Sequence, residues 1–518
     1  MISWQHALHR SPDDFLAATE LGLLLRCSGR EHAAHLAHRH AHAVCAPLRA
    51  TCAHRLHDGG RLFGAAEPPL PALASAALLL RHALLPQYAA PHAAALLGAA
   101  ARGEAGGPPD GEEWFRRRLD ERAVHAMEAR EPRAATLYLL FLLGRAVARR
   151  EAEARLGASA VAALVEAGLL LPHATDAALV LSPVQVYPLA LPAASCPLLI
   201  ATDWPLESRL PTRLTVMPIG VDSLQLALGL PPTAARGKRV LDVCCGSGVQ
   251  ALAAAAAAAS HVTAIDASAR ALRFTHFNAA LNRLSRRLTA RLADATAPLA
   301  ATYDLILANP PFLAMPPHAL PRGYQPALYT SGGADGAGVL RALLHHAADA
   351  LARGGCLVAV SQLPNAAAAA LRLAGPRRLD LTLCFNPRHT QRRREYAAQH
   401  AADAGADAAA WEEGMRAAGV RSVGFGVVIA RGAAGRGVDR HVAIDGGEGS
   451  EARAMLEGEE LRQLRGAIWA YGLAPEGGQP TSGAREPRWE ALVMAGAFGF
   501  RPRAAQAPSS EAASTDQL

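Results

Sequence analysis

The stretch Val240-Leu241-Asp242-Val243-Cys244-Cys245-Gly246-Ser247-Gly248 decides the fold. Apolar, β-favouring residues around a single carboxylate run into a turn whose glycines permit positive φ and close backbone approach. An alanine-rich run follows, and its composition predicts a helix over Val249 to Ala259. Working outward, the alternation repeats. Strand His261 to Ile265 precedes helix Ala269 to Asn282, and strand Leu288 to Leu292 follows. Strand Asp304 to Ala308 ends at the turn Asn309-Pro310-Pro311-Phe312, and helix Gly336 to Ala352 leads through Gly354-Gly355 to strand Cys356 to Val360. Asp380 to Phe385 and Val423 to Ala430 read as two more strands, with a charged helical segment, Arg392 to Gly419, between them. Strands and helices alternating at this spacing imply an α/β protein with a mostly parallel sheet.

In such a sheet, ligands bind outside the carboxyl ends of the strands, where strand order reverses. Asp242, Gly246, Ser247 and Gly248 lie at the end of the first strand, Asp266 at the end of the second, Asp294 just after the third and Asn309 at the end of the fourth. All are expected around one crevice. Asp266 suits ribose hydroxyls and Asp294 an adenine amine, so an adenosine is the expected occupant. The turn tolerates a dinucleotide, since Ala251 stands where the looser fingerprint allows alanine. Asp242 points the other way: a carboxylate there repels a pyrophosphate and suits the sulfonium and ammonium groups of S-adenosylmethionine. Asn309 supplies an acceptor side. If its side-chain oxygen and the Pro310 carbonyl each accept an N–H from a planar NH2, the nitrogen lone pair is steered outward. The prolines fix the turn, and Phe312 packs on the substrate plane.

At these residues the chain resembles the class I S-adenosylmethionine-dependent methyltransferases, in particular the methyltransferase small domain group, which includes release-factor glutamine and ribosomal RNA guanine-N2 methyltransferases. The resemblance spans about residues 215 to 430 and rests on the glycine turn, Ala-Ile-Asp266, Asp304-Leu-Ile-Leu-Ala-Asn-Pro-Pro-Phe and Ser331-Gly-Gly-Ala-Asp-Gly. It implies a seven-stranded Rossmann-like sheet whose last strand is antiparallel. It also implies that Asp242, Gly246, Ser247, Gly248, Asp266 and Asp294 bind S-adenosylmethionine and that Asn309, Pro310, Pro311 and Phe312 hold the target nitrogen. The chain departs from the pattern at Cys244-Cys245, where Gly-Thr is more usual. Phe312 in place of tyrosine leans toward the RNA-modifying members, while Val249-Gln250-Ala251-Leu252 fits neither subgroup.

The remainder of the chain carries weaker signals. Residues 1–105 are rich in alanine and histidine. The cluster His32, His35, His38, His40, His42, Cys45, Cys52, His54 and His57 lacks the paired spacing of a metal site, so no metal is expected. The breaker segment Gly103 to Asp110 precedes a region, 106–210, that reads as a charged helix over Glu112 to Arg130, then helices at Thr136 to Val147, Arg150 to Leu156 and Ser159 to Ala167. Strands at Ala178 to Leu181 and Val184 to Leu189 follow, giving a helical, winged-helix-like module, expected to serve as the recognition domain, without a dense basic face on its third helix. Residues 211–432 form the methyltransferase-like domain. Residues 433–518 form an extension with one helix at Glu451 to Tyr471 and a polar, disordered end from Ala504.

Composition narrows the classes further. Eight scattered cysteines exclude a disulfide framework and indicate a reducing compartment. No secretory signal or membrane-spanning run is evident, so a cytoplasmic protein is expected, with an organellar transit peptide as the open alternative. A net charge of +7, mostly arginine, accommodates a nucleic-acid partner without requiring one. The expected activity is transfer of a methyl group from S-adenosylmethionine to a planar NH2, either a glutamine amide of a release factor or an exocyclic amine of ribosomal or transfer RNA, which would have to be flipped out. The alternative is a catalytically silent binding module that kept the fold.

Overall fold

The computed structural model describes residues 63, 70–85, 87–88, 128, 131–142, 144–173, 176–189, 191, 197–204, 213–230, 232–299, 301–365, 379–385, 390–432 and 440–443. The histidine-rich cluster, almost all of the expected helix at Glu112 to Arg130, the helix at Glu451 to Tyr471 and the polar end lie outside them. Among the described residues no helix is long and apolar enough to cross a membrane.

Helix α1, Leu70–Leu84, is followed by α2, Pro132–Phe141, the short strand β1, Val147–Ala148, and helices α3, Arg149–Leu156, and α4, Ala158–Glu166. Strands β2, Leu171–Pro172, and β3, Leu179–Leu181, complete a three-stranded antiparallel sheet in the order β1-β3-β2. Helix, strand, two helices and two strands in this order give a winged-helix topology. It differs from the expected one in two places. The apolar helix stops at Phe141, because Gly144 takes φ +66 and turns the chain so that Val147 pairs as a strand. The second expected wing strand is instead β4, Gln185–Leu189, which forms a separate antiparallel ribbon with β5, Leu198–Thr202.

The ribbon leads to α5, Val221–Gly229, the short α6, Pro232–Ala235, and the main sheet. Its elements are β6, Arg239–Val243; α7, Val249–Ala256; β7, His261–Asp266; α8, Ala269–Leu281; β8, Leu288–Leu292; β9, Tyr303–Ala308; α9, Gly338–Ala350; and β10, Leu351–Pro364. Then come β11, Leu379–Phe385; β12, Gln391–Arg392; α10, Arg393–Ala404; α11, Ala408–Ala417; β13, Ser422–Gly432; and β14, Arg440–Ala443.

The path runs β8-β7-β6-β9-β10-β13-β11-β14, with β12 pairing on β13. Seven of these strands, β8 to β11 along the path, form the sheet implied by the resemblance. β6 to β10 are parallel, while β13 runs antiparallel to both β10 and β11. The four-residue β14 adds a further parallel edge. Strand order reverses at β6, which has β7 on one side and β9 on the other, so the crevice opens above the ends of β6 and β9. Val240, Leu241, Val243, Leu305, Ile306 and Leu307 are all buried, as expected for strands covered on both faces.

The N-terminal unit and the main sheet meet at α8. Phe274 and Phe277 join the core formed by α1, α2 and α4, and Phe63 stacks on Phe274 with centroids 4.0 Å apart. Along the same helix Asn278 and Asn282, one turn apart, bind the edge of β5. Asn278 Oδ1 accepts from Ala201 N at 2.8 Å while its Nδ2 donates to Ala201 O, and Asn282 does the same with Leu199. Two side-chain amides thus stand in for a neighbouring strand.

Candidate functional site

One cavity of about 210 Å³ opens at the carboxyl ends of β6 to β9. Gly246, Ser247, Asp266, Asp294, Asn309 and Pro311 lie on its wall, with Cys244, Gln250, Ser223, Thr215, Tyr329 and Arg213. Asp242, Gly248, Pro310 and Phe312 do not. Asp242 sits beneath the cavity, fully buried, where Oδ2 accepts from Ala251 N at 2.9 Å in the first turn of α7. Its Oδ1 finds no partner among the described residues. Gly248 takes φ +80 and caps α7, and a Cβ there would press on the Thr275 side chain at 2.9 Å. Pro310 is buried, and Phe312 packs edge-on against Phe425 with centroids 5.7 Å apart.

The glycine turn is held from α8. Thr275 Oγ1 donates to Gly246 O at 3.1 Å and Asn278 Nδ2 to Ser247 O at 2.9 Å. On the other side, Asp266 Oδ2 accepts from Gly246 N at 2.9 Å and Oδ1 from Ser268 N at 2.8 Å. The Ala267 N–H also bonds to this carboxylate, which still has acceptor capacity for a further donor such as a ribose hydroxyl. Cys244 occupies the left-handed region at φ +59, a conformation that glycine adopts freely and cysteine only with strain. Cys244 lines the cavity, and burial followed by the charges of Asp266, Asp242 and Asp294 pushes its thiol well above the ordinary range, so it is held protonated.

The electrostatics are one-sided. Burial pushes the Asp242 carboxyl up to about 8, opposed by the Ala251 N–H and reinforced by Asp266. Asp266 is also raised, by burial, against the N–H groups of Gly246 and Ser268. Exposed Asp294 is lowered, because Thr296 donates to it from both its backbone nitrogen and its hydroxyl. Against these carboxylates the cavity wall carries, among the described residues, one arginine, Arg213, at its exposed mouth. A buried, half-paired carboxylate under a cavity with acidic walls fits a cationic ligand and disfavours a pyrophosphate. The residues therefore fit S-adenosylmethionine better than a dinucleotide.

Across the crevice, the half-buried Asn309 side chain has a fixed orientation. Its Nδ2 donates to Asp222 Oδ2 at 2.9 Å and reaches Ser223 Oγ at 3.4 Å. The loop after it is braced from two sides. From the 330–338 turn, Leu313 N donates to Thr330 O and Met315 N to Gly333 O. Gly336, at φ +79, comes so close that a Cβ would stand 2.5 Å from Phe312 O. From the α10–α11 hairpin, Ala314 N donates to the Tyr396 hydroxyl at 3.0 Å and Trp411 Nε1 donates to Ala314 O at 3.1 Å. The Tyr396 hydroxyl in turn donates to Gln362 Oε1 at 2.7 Å.

Asp222, Ser223, Gln250 and Tyr329 escaped the sequence reading as site residues. Only Gln250 carried a local signal, as a polar residue in an otherwise apolar helix start; Ser223 and Tyr329 reach the crevice through long-range packing, and Asp222 acts behind it on Asn309.

Residues 223–319 match the family described as the methyltransferase small domain. Among curated relatives, a ribosomal protein uL3 glutamine methyltransferase of Bordetella pertussis is 42% identical over 126 residues, which are 23% of this chain and 42% of that protein. A release factor glutamine methyltransferase of Deinococcus radiodurans is 38% identical over 143 residues, 26% of this chain and 51% of that protein. A solved ribosomal protein L11 methylase from Lactobacillus delbrueckii subsp. bulgaricus aligns with 33% of this chain and 76% of its own at 20% identity and a TM-score of 0.25. The chain thus spans about half, or less, of the length of these curated relatives. The matched span runs from the serine beside Asp222, through the glycine turn, to the loop braced by Trp411, and over that span the chain is similar to the methyltransferase small domain family.

Proposed function

We propose that the protein is an S-adenosylmethionine-dependent N-methyltransferase whose acceptor is the side-chain amide of a glutamine in a protein of the translation machinery. The observation that carries this reading is Asn309. With Nδ2 engaged by Asp222 and Ser223, its Oδ1 is left as an acceptor at the wall of a cavity whose opposite side is acidic. That arrangement suits an NH2 donor facing a cation. The relatives' names supply the acceptor class, since both glutamine methyltransferases act on proteins used in translation. A cytoplasmic site of action goes with this acceptor.

Gly246, Ser247, Asp266 and Asp294 are the residues that would hold the cofactor, with Asp242 compensating its charge from beneath. The cofactor supplies an electrophilic methyl group on a sulfonium. The chain's own residues act on the amide. Asn309 Oδ1 and the Pro310 carbonyl each accept an N–H, turning the nitrogen so that its lone pair faces the donor side. The bracing of Leu313, Ala314 and Met315 keeps that turn in place, and such pre-organisation is worth a share of the roughly 7–11 kcal/mol that proximity can contribute. No strong base is required at the site, because an amide nitrogen that gains a methyl group gives up its proton to water readily.

Tritiated methyl transfer from S-adenosylmethionine into a bacterial ribosomal extract tests the reading. Label that resists RNase, is released by protease and elutes as methylglutamine after digestion is the expected outcome. Label in RNA would transfer the assignment to an exocyclic base amine, and no label with intact cofactor binding would leave a silent binding module.

A further inference from the structure

We propose that Asp222 is a positioning residue that fixes which end of the Asn309 amide faces the acceptor. The inference rests on the amide-directed transfer proposed above and adds the residue that makes Asn309 competent for it. The two ends of an asparagine amide have nearly the same shape and opposite hydrogen-bonding roles, so partners decide the orientation. Asp222 stands in the first turn of α5 with its side chain buried. Gly220 makes room for it: a Cβ at Gly220 would lie 2.5 Å from Asp222 Oδ1. With Oδ1 lodged there, Oδ2 receives Asn309 Nδ2 at 2.9 Å, and Ser223 Oγ stands 3.4 Å from the same nitrogen.

An ionised carboxylate only accepts hydrogen bonds. It binds the NH2 end of Asn309 and repels the carbonyl end, so turning the amide over would set oxygen against oxygen in a desolvated place. Burial raises the Asp222 carboxyl, while the Asn309 amide and the backbone at Ser223 favour its charged form. Asp222 lies one residue before the segment that matches the family, and it works through Asn309 without reaching the cavity wall itself.

The test compares Asp222→Leu with Asp222→Asn in the full chain. The leucine removes the acceptor, whereas the asparagine keeps one. Losing a hydrogen bond to a charged group should lower kcat for methyl transfer into ribosomal extract about 10- to 100-fold in Asp222→Leu, and by no more than about fivefold in Asp222→Asn. Cofactor affinity should stay within about threefold in both, since Asp222 faces the acceptor side. Wild-type rates in Asp222→Leu, equal losses in the two variants, or cofactor affinity falling in step with kcat would each overturn the inference. A second measurement needs no substrate. The side-chain ¹⁵N–¹H resonances of Asn309, identified by their loss in Asn309→Ala, should exchange slowly in wild type and Asp222→Asn and fast in Asp222→Leu. Fast exchange in the wild type overturns the inference. Should the wild type transfer no methyl group at all, the proposed function falls, and the exchange data still decide whether Asp222 orients Asn309.

Discussion

On the proposed donor wall, the groups that face the cavity come from strand ends and the first turns after them, within Cys244 to Thr296. On the acceptor wall, Asn309 is oriented from α5, and the loop after it is braced by the 330–338 turn and by helices that begin at Arg393. The first wall is built locally on backbone turns and the second is assembled across the sequence. Damage should therefore spread differently. A change on the donor wall alters affinity for a charged ligand, whereas a change among the braces reaches the acceptor by loosening a turn whose own residues are untouched.

The comparison is tested most severely by Asn309→Ala, which removes the acceptor group and leaves the donor wall alone. Turnover should fall about 10²- to 10³-fold, with S-adenosylmethionine affinity kept within about tenfold by calorimetry. Equal loss of both would merge the two walls into one. Trp411→Ala should come next, because it removes a fully buried ring and the hydrogen bond to Ala314 O. A loss of about 3–5 kcal/mol in denaturant unfolding is expected, together with a lower kcat at unchanged cofactor affinity. An effect on stability alone would show that the hairpin does not tune the acceptor loop.

On the donor wall, the Asp242 carboxyl, pushed up to about 8, keeps its proton in the folded protein where the unfolded chain has lost it. Its contribution to stability is present below the ordinary carboxylate pKa and is lost as pH rises through about 8. A cationic ligand favours the ionised form. S-adenosylmethionine affinity should thus increase with pH up to about 8, by at most about tenfold per unit, with proton release visible by calorimetry in two buffers. In Asp242→Asn that slope should flatten; an unchanged slope would place its origin elsewhere on the wall. The smallest effect is expected from Cys244→Gly, which relieves the φ +59 strain. A gain of about 0.5–1 kcal/mol in thermal unfolding is expected, the relief being partly offset by glycine's greater freedom when unfolded.

Legibility in the sequence follows the same division. The glycine turn, Asp266, Asp294 and Asn309 could be read because each ends a strand whose apolar pattern identifies it, and the sheet order then brings them together. Some structure was misread locally. Arg392 to Gly419 is two helices, broken where Gly405 takes φ +64 and Asp407 caps the second by accepting from Ala410 N. The long β10 begins at Leu351, five residues before the apolar run that predicted it. Asp222 and Tyr396 could not be read at all, because nothing near Asp222 points to Asn309, 87 positions away, and nothing near Tyr396 to Ala314, 82 away.

The pair of asparagines on α8 has a consequence for how the molecule opens. Asn278 holds both the edge of β5 and the carbonyl of Ser247. Peeling the ribbon away would break the support of the glycine turn in the same event. The β4–β5 ribbon and the donor wall should then behave as one foldon, with the amides of β5 and of the glycine turn exchanging together and slowing together once a ligand fills the cavity.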